Sequence, residues 1–213
     1  MRAGRVTVDG QPALRRDAKY PESALFRVDG EAVSGERLVY LMMNKPAGVV
    51  SATGDPREKT VLSLLPEHLQ RVGLFPAGRL DKDTVGLLLL TNDGELAHAL
   101  LSPARHVDKI YLVRVDGVLE ESDEAAVRAG MELRDGTLCL PAGLERLSAS
   151  EALVTLREGK YHQIKRMCAA RGKPVTFLKR LKFGALELDA ALAPGQWRPL
   201  SGDEVAALRD GGA

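Results

Sequence analysis

The sequence predicts an α+β fold. Strand-like apolar runs and capped helices are interspersed without regular βαβ alternation, and 213 residues at 45% hydrophobic composition suffice for a sizeable core. Aromatic residues make up only 4%, so that core must rest on Leu, Val, Ala and Met. Residues 5–33 read as a small β-rich module. Arg5-Val6-Thr7-Val8 alternates, while Asp9-Gly10 and Asp29-Gly30, the second after Leu25-Phe26-Arg27-Val28, are hairpin signals. Ser34-Gly35-Glu36-Arg37 reads as a linker. Leu38 to Met43 is a continuous apolar strand stopped at Asn44-Lys45-Pro46. The loop Gly54-Asp55-Pro56-Arg57-Glu58-Lys59 precedes a short helix near Val61–Leu65. Gly86 to Leu90 is a buried strand, and Thr91-Asn92-Asp93-Gly94 supplies N-cap chemistry for a helix through Leu101. Ile110 to Val115 and Ala152 to Arg157 are strands. Tyr161 to Arg171 is a helix with Ile164, Met167, Cys168 and Arg171 at three- and four-residue spacing, and Gly172 stops it. Val175–Leu178 and Ala185–Leu188 are strand-like. Ser201-Gly202-Asp203-Glu204 is a capping box for a last helix through Arg209.

No apolar run approaches the length of a membrane span, and Met1-Arg2-Ala3-Gly4 leads into polar sequence without a signal-peptide pattern. Cys139 and Cys168 form no CxxC pair and fit a reducing cytoplasm. His68, His98, His106 and His162 lack ligand spacing, and neither GxxxxGK[ST] nor GxGxxG occurs, so no metal and no nucleotide cofactor is expected. Charge is uneven. Residues 157–182 hold Arg157, Lys160, Lys165, Arg166, Arg171, Lys173, Lys179, Arg180 and Lys182 against the single acid Glu158. That segment carries +8, leaving −7 for the rest of a chain whose net charge is +1. A polyanionic partner on one face and a merely solvated basic surface both fit.

Three segments could carry chemistry. In Gly78-Arg79-Leu80-Asp81-Lys82-Asp83-Thr84 a carboxylate sits at the mouth of a buried strand, flanked by cations that favour its ionised form. Asp81 could act there as nucleophile or base, or simply cap the loop. In Lys109-Ile110-Tyr111-Leu112-Val113 the tyrosine falls on the strand face opposite Ile110 and Leu112, where its phenol could move a proton, stack on a base, or be buried structure. In Glu158-Gly159-Lys160-Tyr161-His162-Gln163-Ile164-Lys165-Arg166-Met167 a strand turns at glycine into a basic helix. The spacing predicts that His162 and Lys165 share a face, and the helix start suits phosphate.

Together these segments resemble one family. Gly78-Arg79-Leu80-Asp81, Thr84 and Gly86-Leu87-Leu88-Leu89-Leu90-Thr91-Asn92-Asp93-Gly94 are similar to the signature of bacterial ribosomal-RNA pseudouridine synthases of the RsuA type. Asn44-Lys45-Pro46-Ala47-Gly48, the Tyr111 strand and the segment from Gly159 to Met167 resemble its other motifs, in the same order and spacing, from about Leu38 to Leu208. The resemblance implies a mixed, mainly antiparallel sheet with flanking helices and a central cleft. It implies that Asp81 is the catalytic aspartate, that Tyr111 packs on the base and assists proton transfer, and that Lys165 pairs with the aspartate. Ile164 would line the uracil pocket and Arg79 would lie beside the flipped nucleotide. Lys45, Arg57, Lys59, Lys109, Lys160, His162, Gln163, Arg166, Lys179 and Arg180 are expected RNA contacts. The last motif and the ending from Leu192 to Leu200 look more like the small-subunit enzyme. The expected substrate is thus one uridine of 16S rRNA (the uridine-516 type), with rRNA or a small-subunit assembly intermediate as partner and a monomeric, cytoplasmic enzyme.

Residues 1–37 resemble a partial S4 RNA-binding module and linker, with 38–213 as catalytic domain. Arg2-Ala3-Gly4-Arg5-Val6-Thr7-Val8-Asp9-Gly10 matches the end of that module's second helix and its first strands. Its earlier helical residues are missing, so the expectation is a true start upstream of Met1. The competing readings are a 23S rRNA enzyme of the same family, a non-enzymatic ribosome-associated RNA-binding protein, and a glycoside hydrolase pairing Asp81 with Asp83. The last is disfavoured because residues two apart on an extended loop point in different directions.

Overall fold

A computed structural model describes residues 5–13, 18, 20, 24–33, 38–102 and 105–210. The chain divides into two compact units, Met1–Leu38 and Val39–Ala213. In the first, β1 (Val6–Val8), β2 (Gln11–Pro12), β3 (Phe26–Val28) and β4 (Glu31–Val33) form an antiparallel sheet in the order β2-β1-β3-β4. Asp9 and Gly10 take φ of 50° and 80°, and Asp29 and Gly30 take 54° and 83°. Such left-handed pairs match the twist of the flanking strands in a two-residue hairpin. Arg2-Ala3-Gly4 and the linker at 34–37 lie outside the described residues.

The second unit runs β5 (Tyr40–Lys45), a 3₁₀ turn (Val61–Leu64), α1 (Glu67–Gln70), β6 (Phe75–Ala77), β7 (Val85–Thr91), α2 (Gly94–Leu101) and β8 (Lys109–Val115). It continues α3 (Glu121–Ala129), β9 (Met131–Glu132), β10 (Leu138–Cys139), β11 (Gly143–Arg146), β12 (Glu151–Leu156) and α4 (Gln163–Ala170). Then come β13 (Val175–Phe183), β14 (Leu186–Glu187), β15 (Trp197–Pro199) and α5 (Gly202–Asp210). One sheet dominates, in the order β11-β12-β8-β13-β7-β5-β15, with β14 on β13 and β6 on β7. Its strand pairs are antiparallel except β7–β13, where Val85 and Gly86 lie beside Lys179 and Arg180.

Continuous apolar strands need cover on both faces. In β5 and β7, Leu41, Met43, Leu88 and Leu90 enter one core, while Met42, Leu87 and Leu89 enter another. Ile164, Met167 and Cys168 of α4 and Val127 of α3 close the first; Leu96, Ala97 and Leu100 of α2 and Leu208 of α5 close the second. Two helix starts form as their sequences dictate. Asp93 accepts from the Leu96 amide, and Ser201 and Glu204 bond each other's backbone N–H groups.

The structure also differs from the sequence expectation. The helix at 161–171 begins only at Gln163, because His162 is left-handed at φ 49°. Val175–Leu178 extends into the nine-residue β13. The sequence reading gave no sign of α1, α3, β6, the β9–β10 hairpin, β11 or β15.

Candidate active site

The loop before β7 is held by its backbone, which leaves the Asp81 side chain free to face a cleft. Ser51 Oγ donates to the Leu80 carbonyl at 2.9 Å and accepts from the Leu80 amide at 3.1 Å. The Thr84 amide donates to the Asp81 carbonyl, closing a turn. Lys45 then crosses underneath, fully buried, and its Nζ donates to the carbonyls of Asp81 (2.9 Å), Thr84 (2.8 Å), Pro46 (3.1 Å) and Lys82 (3.3 Å). Burial pushes the Lys45 ammonium down to about 8, against the pull of Asp83 and Asp81. At the strand end Gly86 has φ 100°, and a Cβ there would stand 2.3 Å from the Arg180 carbonyl oxygen. Only glycine lets β7 and β13 approach this closely.

Lys165, in the first turn of α4, reaches this loop from 84 residues away in sequence, with Nζ 2.9 Å from Asp81 Oδ2 and 2.5 Å from Asp83 Oδ1. Burial acts against the Lys165 ammonium, but its bonds to Asp83 and Asp81 outweigh that and hold its pKa above the ordinary lysine value. The Lys165 bond in turn keeps the Asp83 carboxyl below the usual carboxylate range. His162 Nε2 lies 3.5 Å from Asp81 Oδ1. The cleft, about 90 Å³, is lined by Arg79, Leu80, Asp81, Thr84, Tyr111, Leu156, Gly159, Lys160, His162, Gln163, Ile164, Lys165 and Leu178. An acid, an ammonium, an imidazole and a phenol thus line one open hollow with apolar walls. Such a set can bind a flat heterocycle and move protons at its edge.

Several expectations need correction. Lys45, Lys109 and Arg180 are buried and hold carbonyls: Lys109 Nζ donates to Val107 and Arg180 Nε to Leu87, so these cations are engaged inside the fold rather than displayed on its surface. Gln163 is buried at the cleft wall, with Oε1 accepting from the Lys160 amide and Nε2 donating to Glu158. Arg166 is turned to Asp135 and to the Tyr161 carbonyl. Lys179 lies on the opposite sheet face, beside Ile110 and Leu181, in a larger hollow of about 410 Å³ that contains neither Asp81 nor Tyr111. His162 and Lys165 meet at Asp81, though not by sharing a helix face, since His162 precedes the helix. Asp81 and Asp83 do not diverge either: the turn brings both carboxylates onto one ammonium.

The basic segment is largely neutralised within the fold. Arg157 pairs with Asp108, Lys160 with Glu158, Arg166 with Asp135, Arg171 and Lys173 with Asp123, and Lys182 with Glu187. Exposed cations nearer the cleft are Arg79, on its wall, and Arg57 and Lys59, whose loop is tied to Lys82 through Glu58. Sequence reasoning missed the Lys45 clamp and the Ser51 bonds. The only signal for Lys45 was a lysine just past the end of an apolar run, before Pro46.

A family profile described as RNA pseudouridylate synthase matches residues 39–170. The uncharacterized RNA pseudouridine synthase YtzG of Bacillus subtilis (strain 168) is 45% identical, covering 99% of this chain and 90% of that protein. Ribosomal small subunit pseudouridine synthase A of Escherichia coli (strain K12) is 40% identical, covering 98% and 90%. A crystal structure of a pseudouridylate synthase superposes with a TM-score of 0.77 at 36% identity, covering 97% of this chain and 90% of that one.

Proposed function

This chain belongs to the RNA pseudouridylate synthase family, and on that premise we propose that it isomerises one uridine of 16S ribosomal RNA, of the uridine-516 type, with Asp81 as the catalytic carboxylate. The observation that carries the assignment is the convergence of Asp81 and Lys165 over a cleft also lined by Tyr111. The small-subunit target is supported by near-full-length similarity to the Escherichia coli protein.

The reaction breaks N1–C1′, turns the uracil and joins C5 to C1′; the C5 proton leaves and N1 gains one. Asp81 can attack C1′, add to C6, or take the C2′ proton, and each route needs an ionised carboxylate beside the nucleotide. A uridine in folded RNA must first leave its stack, at a cost of a few kcal/mol. Arg79 lies beside the flipped nucleotide, and Ile164 and Leu178 hold the uracil in plane. Tyr111 packs on the base and relays a proton, while Lys165 keeps a positive charge against Asp81 through the reaction. Arg57 and Lys59 meet phosphates, offsetting the unstacking. Residues 1–37 serve as a partial S4-like grip on the same RNA. The enzyme works as a cytoplasmic monomer on 16S rRNA or an assembly intermediate of the small subunit.

Pseudouridine mapping of 16S and 23S rRNA, from cells with and without the gene, tests the target. One 16S position should lose its modification; a lost 23S position would transfer the assignment to the large subunit. Asp81→Asn should bind the RNA and form no pseudouridine, and turnover by that variant would refute the role of Asp81.

A further inference from the structure

We propose that Tyr161 is a base-stacking residue that receives the nucleobase next to the uridine held in the Asp81 cleft; the inference rests on the reaction proposed above. Tyr161 is 74% exposed, the most exposed of the large apolar and aromatic side chains among the described residues. One face of its ring is covered by His162, at 3.8 Å between ring centroids and 19° between planes. The other face supports no core. The His162 ring lines the cleft and its Nε2 stands 3.5 Å from Asp81 Oδ1, so the tyrosine lies one ring beyond the carboxylate, outside the cleft lining itself.

The backbone that carries the pair is held in place. His162 adopts φ 49° and ψ 34°, uncommon for a residue other than glycine. The Tyr161 carbonyl accepts from Arg166 Nη1, itself paired with Asp135, and the Lys160 amide is held by Gln163. Exposed Leu138 and Leu140 are bonded to the same segment, through Lys160 Nζ to the Leu138 carbonyl and the Leu140 amide to Glu158. An exposed aromatic face stacked on the rim of a cleft that Arg79 also lines suits an unpaired base on a phosphate chain. Flipping a uridine leaves its neighbour without a stacking partner, and the Tyr161 ring can replace it.

The test uses a short rRNA hairpin that the wild type modifies, with 2-aminopurine beside the reacting uridine. Wild type should quench the probe on binding. Tyr161→Ala should lose the quench and raise KM about tenfold, with a smaller effect on kcat. Tyr161→Phe and Tyr161→Trp should restore both, and Tyr161→Leu should not. A retained quench with unchanged KM in Tyr161→Ala would overturn the proposal. So would rescue by leucine, or a fall in kcat alone with an altered pH profile, which would mean action through His162. Absence of pseudouridine with wild type overturns the functional reading as well; a modifying wild type beside an unaffected Tyr161→Ala overturns this inference alone.

Discussion

Lys45 holds the Asp81 turn from beneath, and its charge is the part of that support most sensitive to solution conditions. With its pKa pushed down to about 8, the amine is charged at neutral pH and loses its proton as pH rises through that value. Turnover should therefore decline on the alkaline side from about pH 8, followed as pseudouridine formed at saturating RNA. Lys45→Met should lower turnover at neutral pH and remove that limb, because four carbonyls then lack their cation. A second expectation concerns Gly86. Alanine there combines φ 100° with a 2.3 Å approach to the Arg180 carbonyl, so the strand pair must separate. Gly86→Ala should cost several kcal/mol and show as a large drop in Tm. At this scale the sequence was partly legible. Asp81, Tyr111 and Lys165 stood out in local patterns and Ile164 through the family resemblance, and all four line one cleft, whereas Lys45 and Arg180 were expected to contact RNA. Their burial depends on partners dozens of residues away.

Helix α3 was illegible for a related reason. Glu121–Ala129 carries a low apolar content, with Val127 its buried apolar residue. Its anchor is Asp123, buried and bonded to Arg171 and Lys173 just beyond α4, a pairing no window of sequence reveals. Burial opposes the Asp123 charge, but bonds from Lys173, Arg171 and the Glu120 amide overcome it and bring the carboxyl down to about 2. A carboxyl depressed below its ordinary value of 3.8 adds stability that is complete above that value. It fades as pH falls towards 2, amounting to about 2 kcal/mol. Urea midpoints at pH 7 and pH 3 should differ for the wild type, and Asp123→Asn should shrink the difference. At pH 7 the variant should lose about 3 kcal/mol, having left two cations against an amide. Helices with a local start signal were legible: α2 from Asp93 and α5 from its capping box.

Over the whole molecule, the concentration of nine cations in 157–182 suggested a polyanion-binding face, but the fold spends most of those charges on its own carboxylates. The α+β class, and the need to cover both faces of the central strands, were legible from the unbroken apolar runs in β5 and β7. Sheet order was not, because β13 inserts between β7 and β8 from far along the chain. RNA affinity should accordingly depend on salt through a few exposed cations. Arg57→Ala and Lys59→Ala should each flatten the slope of log affinity against log salt by roughly 0.7 to 0.9. Lys173→Met should leave the slope unchanged and lower Tm instead.

The place of β13 has a consequence for the protein's life in the cell. Until residues 175–183 leave the ribosome, β8 and β12 on one side and β5 and β7 on the other have no common neighbour. A nascent chain therefore holds Asp81 and Tyr111 in separate halves of an unfinished sheet. The cleft can be assembled only after β13 has emerged and joined the two halves.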